Sequence, residues 1–331
     1  MSSVSILPTA PTRNAPSPES SLIYHSGALG DFVAALPAIV HWGRSAAGER
    51  RILLTRREHG DLAVCAQIVD EVWDIDDSRF SRLFLGDGTP IRLVSLRRAL
   101  LFCSPDSPLV AAVRGAGCPE IVVQRPFPPC PQPIVPYHLS LFPDPPEARE
   151  LFRPLRNLGE KLDAVSSRVS IARDAVLIHP GSGGGRKNWP TERFERLAAL
   201  LRKRGWRIVW CLGPAEGGRC MPEGDGVVRE PRLVELCAML TRARCYIGND
   251  SGVSHLAAAC GCPSVVLFGP SDERIWAPCG DVVAIVTPTG SLASDRERDI
   301  RKIEVEQVLA AVDRLPDREC WEPATSETRR R

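Results

Sequence analysis

Short apolar runs alternate with helical hydrophobic periods along most of the chain, beginning near residue 21. The segment 31–42 shows the helical period well, because Phe32, Leu36, Ile39 and Val40 fall on one side of it. In the first half, the pattern predicts strands at 21–25, 51–55 and 71–75 and helices at 31–42 and 62–68. Such alternation predicts a parallel sheet covered by helices.

The same alternation returns at residue 175 after a long, weakly patterned stretch. It predicts strands at 175–179, 207–212, 245–248, 264–268 and 282–286, and helices at 190–204, 233–240 and 251–260. The fold class is therefore α/β, with two doubly wound, Rossmann-like units. We place the first unit at 21–170 and the second at 171–315.

Three segments lack a clear period. Residues 1–20 are rich in Ser, Pro and Thr and are predicted to be disordered, and 316–331 form a polar tail. The stretch 77–150 is weakly patterned, and 125–146 is so dense in proline that we expect irregular structure at the edge of the first unit. This proline-rich segment has two interpretations, an acceptor-specificity loop or a structural wrap, and the sequence favours neither.

Composition narrows the function classes. The 331 residues carry 42 Lys and Arg against 40 Asp and Glu, a net charge of +2, which argues against nucleic acid as a partner. No apolar run reaches the length of a membrane span, and the first residues do not resemble an export signal, so we expect a cytoplasmic protein. The 12 cysteines include no C-x-x-C pair, so we expect reduced, packed thiols and no metal site.

Ligands of open parallel sheets bind beyond the carboxyl ends of the strands, and two loops of the second unit lie at such ends. The first, 179–190, is glycine-rich; it offers Lys187 as a mobile cation and Ser182 and Gly183 as a candidate phosphate loop. The second, 248–255, precedes a helix whose first amides suit a phosphate. In it Asp250 either caps the helix or accepts bonds from sugar hydroxyls, and His255 is either a ligand or a packed histidine.

Two further carboxylates follow predicted strands. Glu216 either binds ribose hydroxyls or is a solvated turn residue. Asp31 follows the first strand and Gly30, where it either caps the helix or faces the cleft as a general base.

Taken together and in this order, several motifs resemble glycosyltransferase family 9, the ADP-heptose:lipopolysaccharide heptosyltransferases. The motifs are Gly30-Asp31 with Leu36-Pro37, Lys187-Asn188-Trp189-Pro190, Asp250-Ser251-Gly252 with His255-Leu256-Ala257-Ala258-Ala259, and Phe268-Gly269-Pro270-Ser271. The resemblance implies a GT-B fold and inverting, metal-independent transfer without a cofactor, from a nucleotide sugar, ADP-heptose first, to a glycan or glycolipid acceptor.

By matching position, the resemblance implies that Asp31 is the catalytic base. The residues it assigns to the donor are Lys187 on the diphosphate, Asp250 on the sugar, Ser251, Gly252 and Val253 on phosphate through their amides, Glu216 on the ribose, and His255 beside them. Many family members carry a basic residue where this chain has His25, a weaker and pH-dependent cation.

Two other functions remain open at this stage: a GT-B sugar-nucleotide epimerase, and a catalytically silent protein that binds a nucleotide sugar. For the transferase we also expect peripheral contact with the inner membrane. Arg97, Arg98 and Arg114 are candidates for that surface, with a solvated face as the plainer interpretation.

Overall fold

The computed structural model describes residues 19–45, 48–80, 96–162, 167–216, 226–289 and 298–316. Most of the predicted disordered segment and of the polar tail, 1–18 and 317–331, lies outside these residues. The first unit contains β1 Ser20–His25, α1 Leu29–Arg44, β2 Arg50–Thr55, α2 Arg57–Cys65, β3 Glu71–Asp74, β4 Leu96–Phe102, α3 Pro108–Gly115, β5 Glu120–Gln124 and α4 Ile134–Leu139.

Three helices lead from the first unit to the second: α5 Ala148–Leu151, α6 Arg153–Leu162 and α7 Ser167–Ala172. The second unit contains β6 Val176–His179, α8 Thr191–Lys203, β7 Ile208–Leu212, β8 Gly226–Arg229, α9 Leu233–Arg242, β9 Cys245–Asn249, α10 Gly252–Ala259, β10 Ser264–Leu267, α11 Glu273–Trp276, β11 Val283–Val286 and α12 Val305–Asp313.

The strands form two parallel sheets. The first has the order β3-β2-β1-β4-β5, and the second has the order β11-β10-β9-β6-β7-β8. In both sheets the order reverses direction beside a central strand, which is where doubly wound sheets bind their ligands. Asp31 follows β1 at the centre of the first sheet, while Lys187 and Asp250 follow the neighbouring β6 and β9 of the second.

One hydrophobic core runs through both units. It joins residues of the first sheet and α1, such as Ile23 and Phe32, to residues of the second sheet and its helices, such as Leu177 and Tyr246. Helix α1 packs on α10, and α6 and α7 pack on α9, although α6 lies before the predicted unit boundary at residue 170 and α7 spans it. The two halves therefore share buried apolar surface instead of meeting only through a solvated cleft.

The structure corrects the prediction of a patternless region at 77–150. Strands β4 and β5 and helix α3 complete the first sheet there, and α4 lies inside the proline-rich segment. Strand β4 was not predicted because two arginines interrupt the apolar run of its sequence, LRRALLF. The sequence prediction also lacked β8 and α12, and α2 spans 57–65 instead of the predicted 62–68.

Arg98 is another correction, because it belongs to the interior and not to a basic surface. Its Nε donates to Glu49 Oε2 at 2.9 Å, and its guanidinium lies 4.2 Å from the centroid of the Trp42 ring. The neighbouring Arg97 is exposed but lies within ion-pair distance of Glu49 as well. A buried arginine that is paired with a carboxylate contributes little to a membrane-facing surface. Arg98 is therefore no longer a candidate for membrane contact.

Candidate active site

Asp31 sits in the first turn of α1, at the carboxyl end of β1. Its Oδ2 accepts a hydrogen bond from the Ala28 backbone amide at 3.1 Å, so the carboxylate closes the start of its own helix from the third helical position. The tight loop before it depends on Gly27, because a Cβ there would come within 2.8 Å of Asp31 Cβ. One carboxylate oxygen of Asp31, Oδ2, thus caps the helix. The other oxygen, Oδ1, is not used for capping.

Charges from both units act on that carboxylate. Burial raises the pKa of Asp31, the Ala28 amide together with the Lys187 and Arg56 cations opposes the rise, and Asp250 adds to it. Lys187 and Asp250 belong to the second unit, so the structure brings the predicted base and the predicted donor residues into electrostatic reach of each other.

Lys187 and Asp250 form an ion pair at the carboxyl ends of β6 and β9. Lys187 Nζ donates to Asp250 Oδ2 at 2.7 Å. The lysine side chain is 40% exposed, whereas that of Asp250 is only 6% exposed. The buried Asp250 carboxylate therefore binds the lysine on its inner side. The exposed part of the lysine side chain can still contact an anion.

The N-terminus of α10 lies beside this pair. Ser251 is the N-cap residue, but no side chain caps the helix, and the Ser251 hydroxyl lies 3.3 Å from the Ser254 hydroxyl. The amides of Gly252 and Val253, which head the helix, carry its partial positive charge. Asp250 does not cap this helix, so its capping interpretation is wrong, and its binding of sugar hydroxyls stays a prediction.

Two helix N-termini from different units meet at Gly252 and Gly30. A Cβ on Gly252 would lie 2.7 Å from Leu29 Cβ and 2.9 Å from the Gly30 amide nitrogen. A Cβ on Gly30 would lie 3.2 Å from His255 Cδ2. Side chains at either glycine would push α1 and α10 apart, so glycine is required for this close approach.

His255 is packed between the two units. It is buried next to Gly30, and burial lowers its pKa to about 4, with Asp250 opposing and Lys187 adding to that shift. The imidazole is therefore neutral at pH 7, which favours the packed interpretation over a cationic phosphate ligand.

The glycine-rich loop uses Ser182 for its own structure. The Ser182 hydroxyl is within hydrogen-bond distance of Asn188 Oδ1, at 2.6 Å, and of the Gly184 carbonyl oxygen, at 2.9 Å. Gly183 is exposed, with no atom within 4 Å of the position of a Cβ. The contacts of Ser182 do not support a phosphate role for its hydroxyl, and Gly183 offers only an open backbone.

Glu216 is buried instead of solvated. Its Oε2 accepts a hydrogen bond from the Gly213 amide at 3.2 Å, and a Cβ at Gly181 would come within 2.5 Å of the same oxygen. A carboxylate held beside the carboxyl ends of β6 and β7 is compatible with hydroxyl binding. The solvated-turn interpretation is wrong for this residue.

His25 is neutral and does not replace the basic residue of the family. Its ring lies between Phe32 and Phe102, at centroid distances of 5.5 and 5.6 Å. Burial, together with His59, His138 and Arg56, lowers its pKa to about 3. The expectation of a pH-dependent cation at position 25 is wrong at physiological pH.

Two residues of the site were missed by sequence reasoning. Arg56, directly after β2, donates from Nη1 to the Gly27 carbonyl at 3.3 Å and supplies a cation beside Asp31. Asn249 is fully buried and joins the two donor loops: its Nδ2 donates to the Pro180 carbonyl at 2.8 Å, and its Oδ1 accepts from the Trp189 amide at 3.1 Å. The signal for both was their position, a polar residue at the carboxyl end of a predicted strand.

Among the residues that the structure describes, no three His, Cys, Asp or Glu side chains are grouped so that they could hold a metal ion. Within the same residues, every helix is too short or too polar to cross a bilayer.

Known proteins resemble this chain in sequence and in fold. The model of glycosyltransferase family 9 (heptosyltransferase) matches residues 145–303. Lipopolysaccharide heptosyltransferase 3 of Escherichia coli is 28% identical over 177 residues, which are 48% of this chain and 50% of that protein. The chain thus spans about half the length of these curated relatives.

Solved structures extend the likeness to nearly the whole chain. A family 9 glycosyl transferase from Veillonella parvula gives a TM-score of 0.66 at 17% identity, covering 89% of this chain and 96% of that one. The Escherichia coli heptosyltransferase WaaC, solved with ADP, gives 0.64 at 17% identity, covering 89% and 99%. At such identities the likeness establishes the fold. These matches give the chain a GT-B fold and a resemblance to the heptosyltransferases of glycosyltransferase family 9 over residues 145–303.

Proposed function

We propose that this protein is an inverting, metal-independent glycosyltransferase that moves a heptose, or a similar sugar, from a nucleotide diphosphate donor to lipopolysaccharide or another surface glycan. The observation that carries the proposal is that α1, which holds Asp31, touches α10 at Gly30 and Gly252, so that Asp31 lies within electrostatic reach of the Lys187–Asp250 pair. A base on one wall and a cation on the other are what transfer between two bound substrates requires.

In the proposed reaction, the Asp31 carboxylate accepts the proton of the acceptor hydroxyl. A lone pair of the deprotonated acceptor oxygen attacks the anomeric carbon from the face opposite the diphosphate. The bond from that carbon to the diphosphate oxygen breaks. The configuration of the sugar is inverted because attack and departure occur on opposite faces. The rise in the pKa of Asp31 makes its carboxylate a stronger base than an exposed aspartate.

The leaving diphosphate gains negative charge as this bond breaks. Lys187 and the amides of Gly252 and Val253 are fixed positive groups that can stabilise that charge, which is the role a divalent metal has in other transferases. ADP-heptose is the favoured donor because a fold relative was solved with ADP and the curated relatives are named lipopolysaccharide heptosyltransferases. A lipid-linked acceptor would bring the protein into peripheral contact with the inner membrane.

The test is a transfer assay with ADP-heptose and deacylated lipopolysaccharide oligosaccharide lacking heptose. We expect a heptosylated product of inverted anomeric configuration and one ADP per product, with unchanged rate in excess EDTA. Asp31→Asn should lower turnover by about 10²- to 10⁴-fold, because the base is lost, while calorimetry shows unchanged ADP affinity.

The control is Asp61→Asn, which changes an exposed carboxylate on α2. It should leave turnover unchanged. Near-normal turnover of Asp31→Asn would remove Asp31 as the base. Conversion of the donor without any acceptor would point to the epimerase, and ADP-heptose binding without product would point to the silent protein.

A further inference from the structure

Phe127 is a large aromatic side chain that is not buried in the hydrophobic core. It is 52% exposed, the largest exposed fraction among the large hydrophobic residues that the structure describes. Its ring meets that of Trp276 edge to face, with centroids 5.7 Å apart. Phe127 follows β5 of the first unit and Trp276 belongs to α11 of the second, so the pair bridges the two halves.

The proline-rich segment holds Phe127 rigidly. Pro126, Pro128 and Pro129 surround it, and a proline fixes its own backbone and restricts the residue before it to extended conformations. The base of the loop is fixed as well, since Gln124 Nε2 donates to the Tyr137 carbonyl at 3.1 Å. A rigid exposed aromatic loses little conformational entropy when a ligand covers it.

The sheet order places the aromatic pair on one flank of the site. In the first sheet β5 lies two strands from β1, about 10 Å from the strand that precedes Asp31. In the second sheet β10, which precedes Trp276, lies next to β9 and Asp250. The pair is thus displaced to the same side of the catalytic centre in both units.

The nucleoside end of the donor belongs on the opposite flank. Glu216, the proposed ribose ligand, follows β7, which lies beyond β6 on the side away from β10. With the ribose at Glu216 and the sugar at Asp250, as proposed, the donor extends across β7, β6 and β9 and leads away from Trp276 at its nucleoside end. What continues past the catalytic centre toward the aromatic pair is the acceptor.

We propose that Phe127, braced by Trp276, is a stacking subsite for a second sugar of the acceptor glycan, next to the sugar that is attacked at Asp31. The proposal rests on the proposed function for the identity of that glycan. The C–H bonds on one face of a sugar ring carry partial positive charge and pack against the negative face of an aromatic ring. An oligosaccharide acceptor, and not a single sugar, is the substrate class that this subsite requires.

The experiment measures acceptor binding without a donor sugar. Deacylated lipopolysaccharide oligosaccharide is titrated calorimetrically into the full chain saturated with ADP. Phe127→Ala should weaken its binding about tenfold, and Phe127→Tyr, which keeps an aromatic ring, should bind as the wild type does. In the transfer assay, Phe127→Ala should raise the acceptor KM by a similar factor and leave kcat unchanged.

The matched control is Val227→Ala, an exposed apolar truncation on β8 at the far edge of the second sheet. It should change neither affinity. The proposal is overturned if Phe127→Ala binds the oligosaccharide as tightly as the wild type, if it loses ADP affinity to the same extent, or if the wild type binds no oligosaccharide. Because this binding needs no turnover, intact stacking with no transfer would count against the proposed function alone.

Discussion

At the scale of the residue, donor binding is predicted to depend on one lysine whose partner is a buried carboxylate. Asp250 is 6% exposed and its charge is matched by Lys187. Removing the lysine therefore has two effects: it takes a cation from the diphosphate, and it leaves a buried carboxylate unpaired. A useful experiment has to separate these effects.

Lys187→Ala should weaken ADP binding by about tenfold to a hundredfold, since a charge-assisted bond to phosphate is worth about 1.5 to 3 kcal/mol. It should also lower the melting temperature. In the double variant Lys187→Ala/Asp250→Asn the unpaired charge is gone, so stability should return while ADP affinity stays low. Calorimetry and thermal unfolding give the two readouts.

Lys203→Ala, at the exposed end of α8, is the matched control and should bind ADP normally. Wild-type ADP affinity in Lys187→Ala would show that the lysine does not touch the diphosphate. A double variant that regains both stability and affinity would show that Lys187 acts only by neutralising Asp250.

Sequence reasoning found the residues whose chemistry is local and missed those defined by distant partners. Asp31, Lys187 and Asp250 each follow a strand, so alternation alone could place each of them at the carboxyl edge of its own sheet. The burial of Arg98 could not, because it depends on Glu49 and Trp42 from other elements. The burial of Glu216 likewise depends on Gly181, 35 positions earlier by the sequence numbering.

At the scale of the element, the site depends on two helices that start against each other. Helices α1 and α10 touch through Leu29, Gly30 and Gly252, and both present unpaired amides near the catalytic centre. The partial positive charges of the two starts repel each other, and an anion between them relieves that repulsion. Helices α1 and α10 approach closely at this contact because Gly252 has no side chain.

Gly252→Ala should destabilise the protein by about 1 to 3 kcal/mol, since the new methyl group overlaps the Leu29 side chain and the Gly30 backbone. The same overlap should lower ADP affinity by moving the amides of α10. Urea unfolding and calorimetry measure the two effects.

Gly184→Ala is the matched control, because Gly184 has an extended backbone and no atom within 4 Å of a Cβ. Its stability should equal that of the wild type. If Gly252→Ala is as stable as Gly184→Ala, the two helices do not need the close approach.

The elements that could be predicted are those with a clean period. Helix α1 and strands β6 and β9 have buried faces that the sequence shows directly. Strand β5, EIVVQ, was missed because its apolar run is only three residues long and, on an edge strand, those residues are only partly buried. The proline-rich segment contains helix α4, which is only six residues long and too short to show a helical period among the prolines.

At the scale of the whole molecule, the first unit has an unusual interior of alternating histidine and phenylalanine rings. His138, Phe102, His25, Phe32 and His59 follow one another at centroid distances between 4.8 and 5.6 Å. The Nδ1 atoms of the three histidines are buried without a hydrogen-bond partner. Protonating any of these rings would place a charge in an apolar layer.

Stability should therefore fall with acid. Burial lowers the pKa of His25 to about 3 and the pKa values of His59 and His138 to about 4, whereas an unfolded histidine titrates near 6.5. The unfolded chain binds more protons below pH 6.5, so stability is complete above that pH and is lost as pH falls toward 4. Each histidine costs up to about 1.4 kcal/mol per pH unit in that window.

Urea unfolding at several pH values between 7 and 5 measures this slope. His138→Phe keeps the ring contact with Phe102 and removes one titrating site, so its slope should be lower by about one proton. An unchanged slope in this variant would show that His138 is not protonated on unfolding.

The packing of α6 and α7 on α9 sets where this polypeptide can be cut and recombined. A chimera that takes its second unit from a relative has to carry the chain from residue 153 onward, because a graft that begins at β6 would leave α9 against a foreign surface. The junction for exchanging the proposed donor specificity therefore lies before α6 and α7, upstream of β6, the first strand of the second unit.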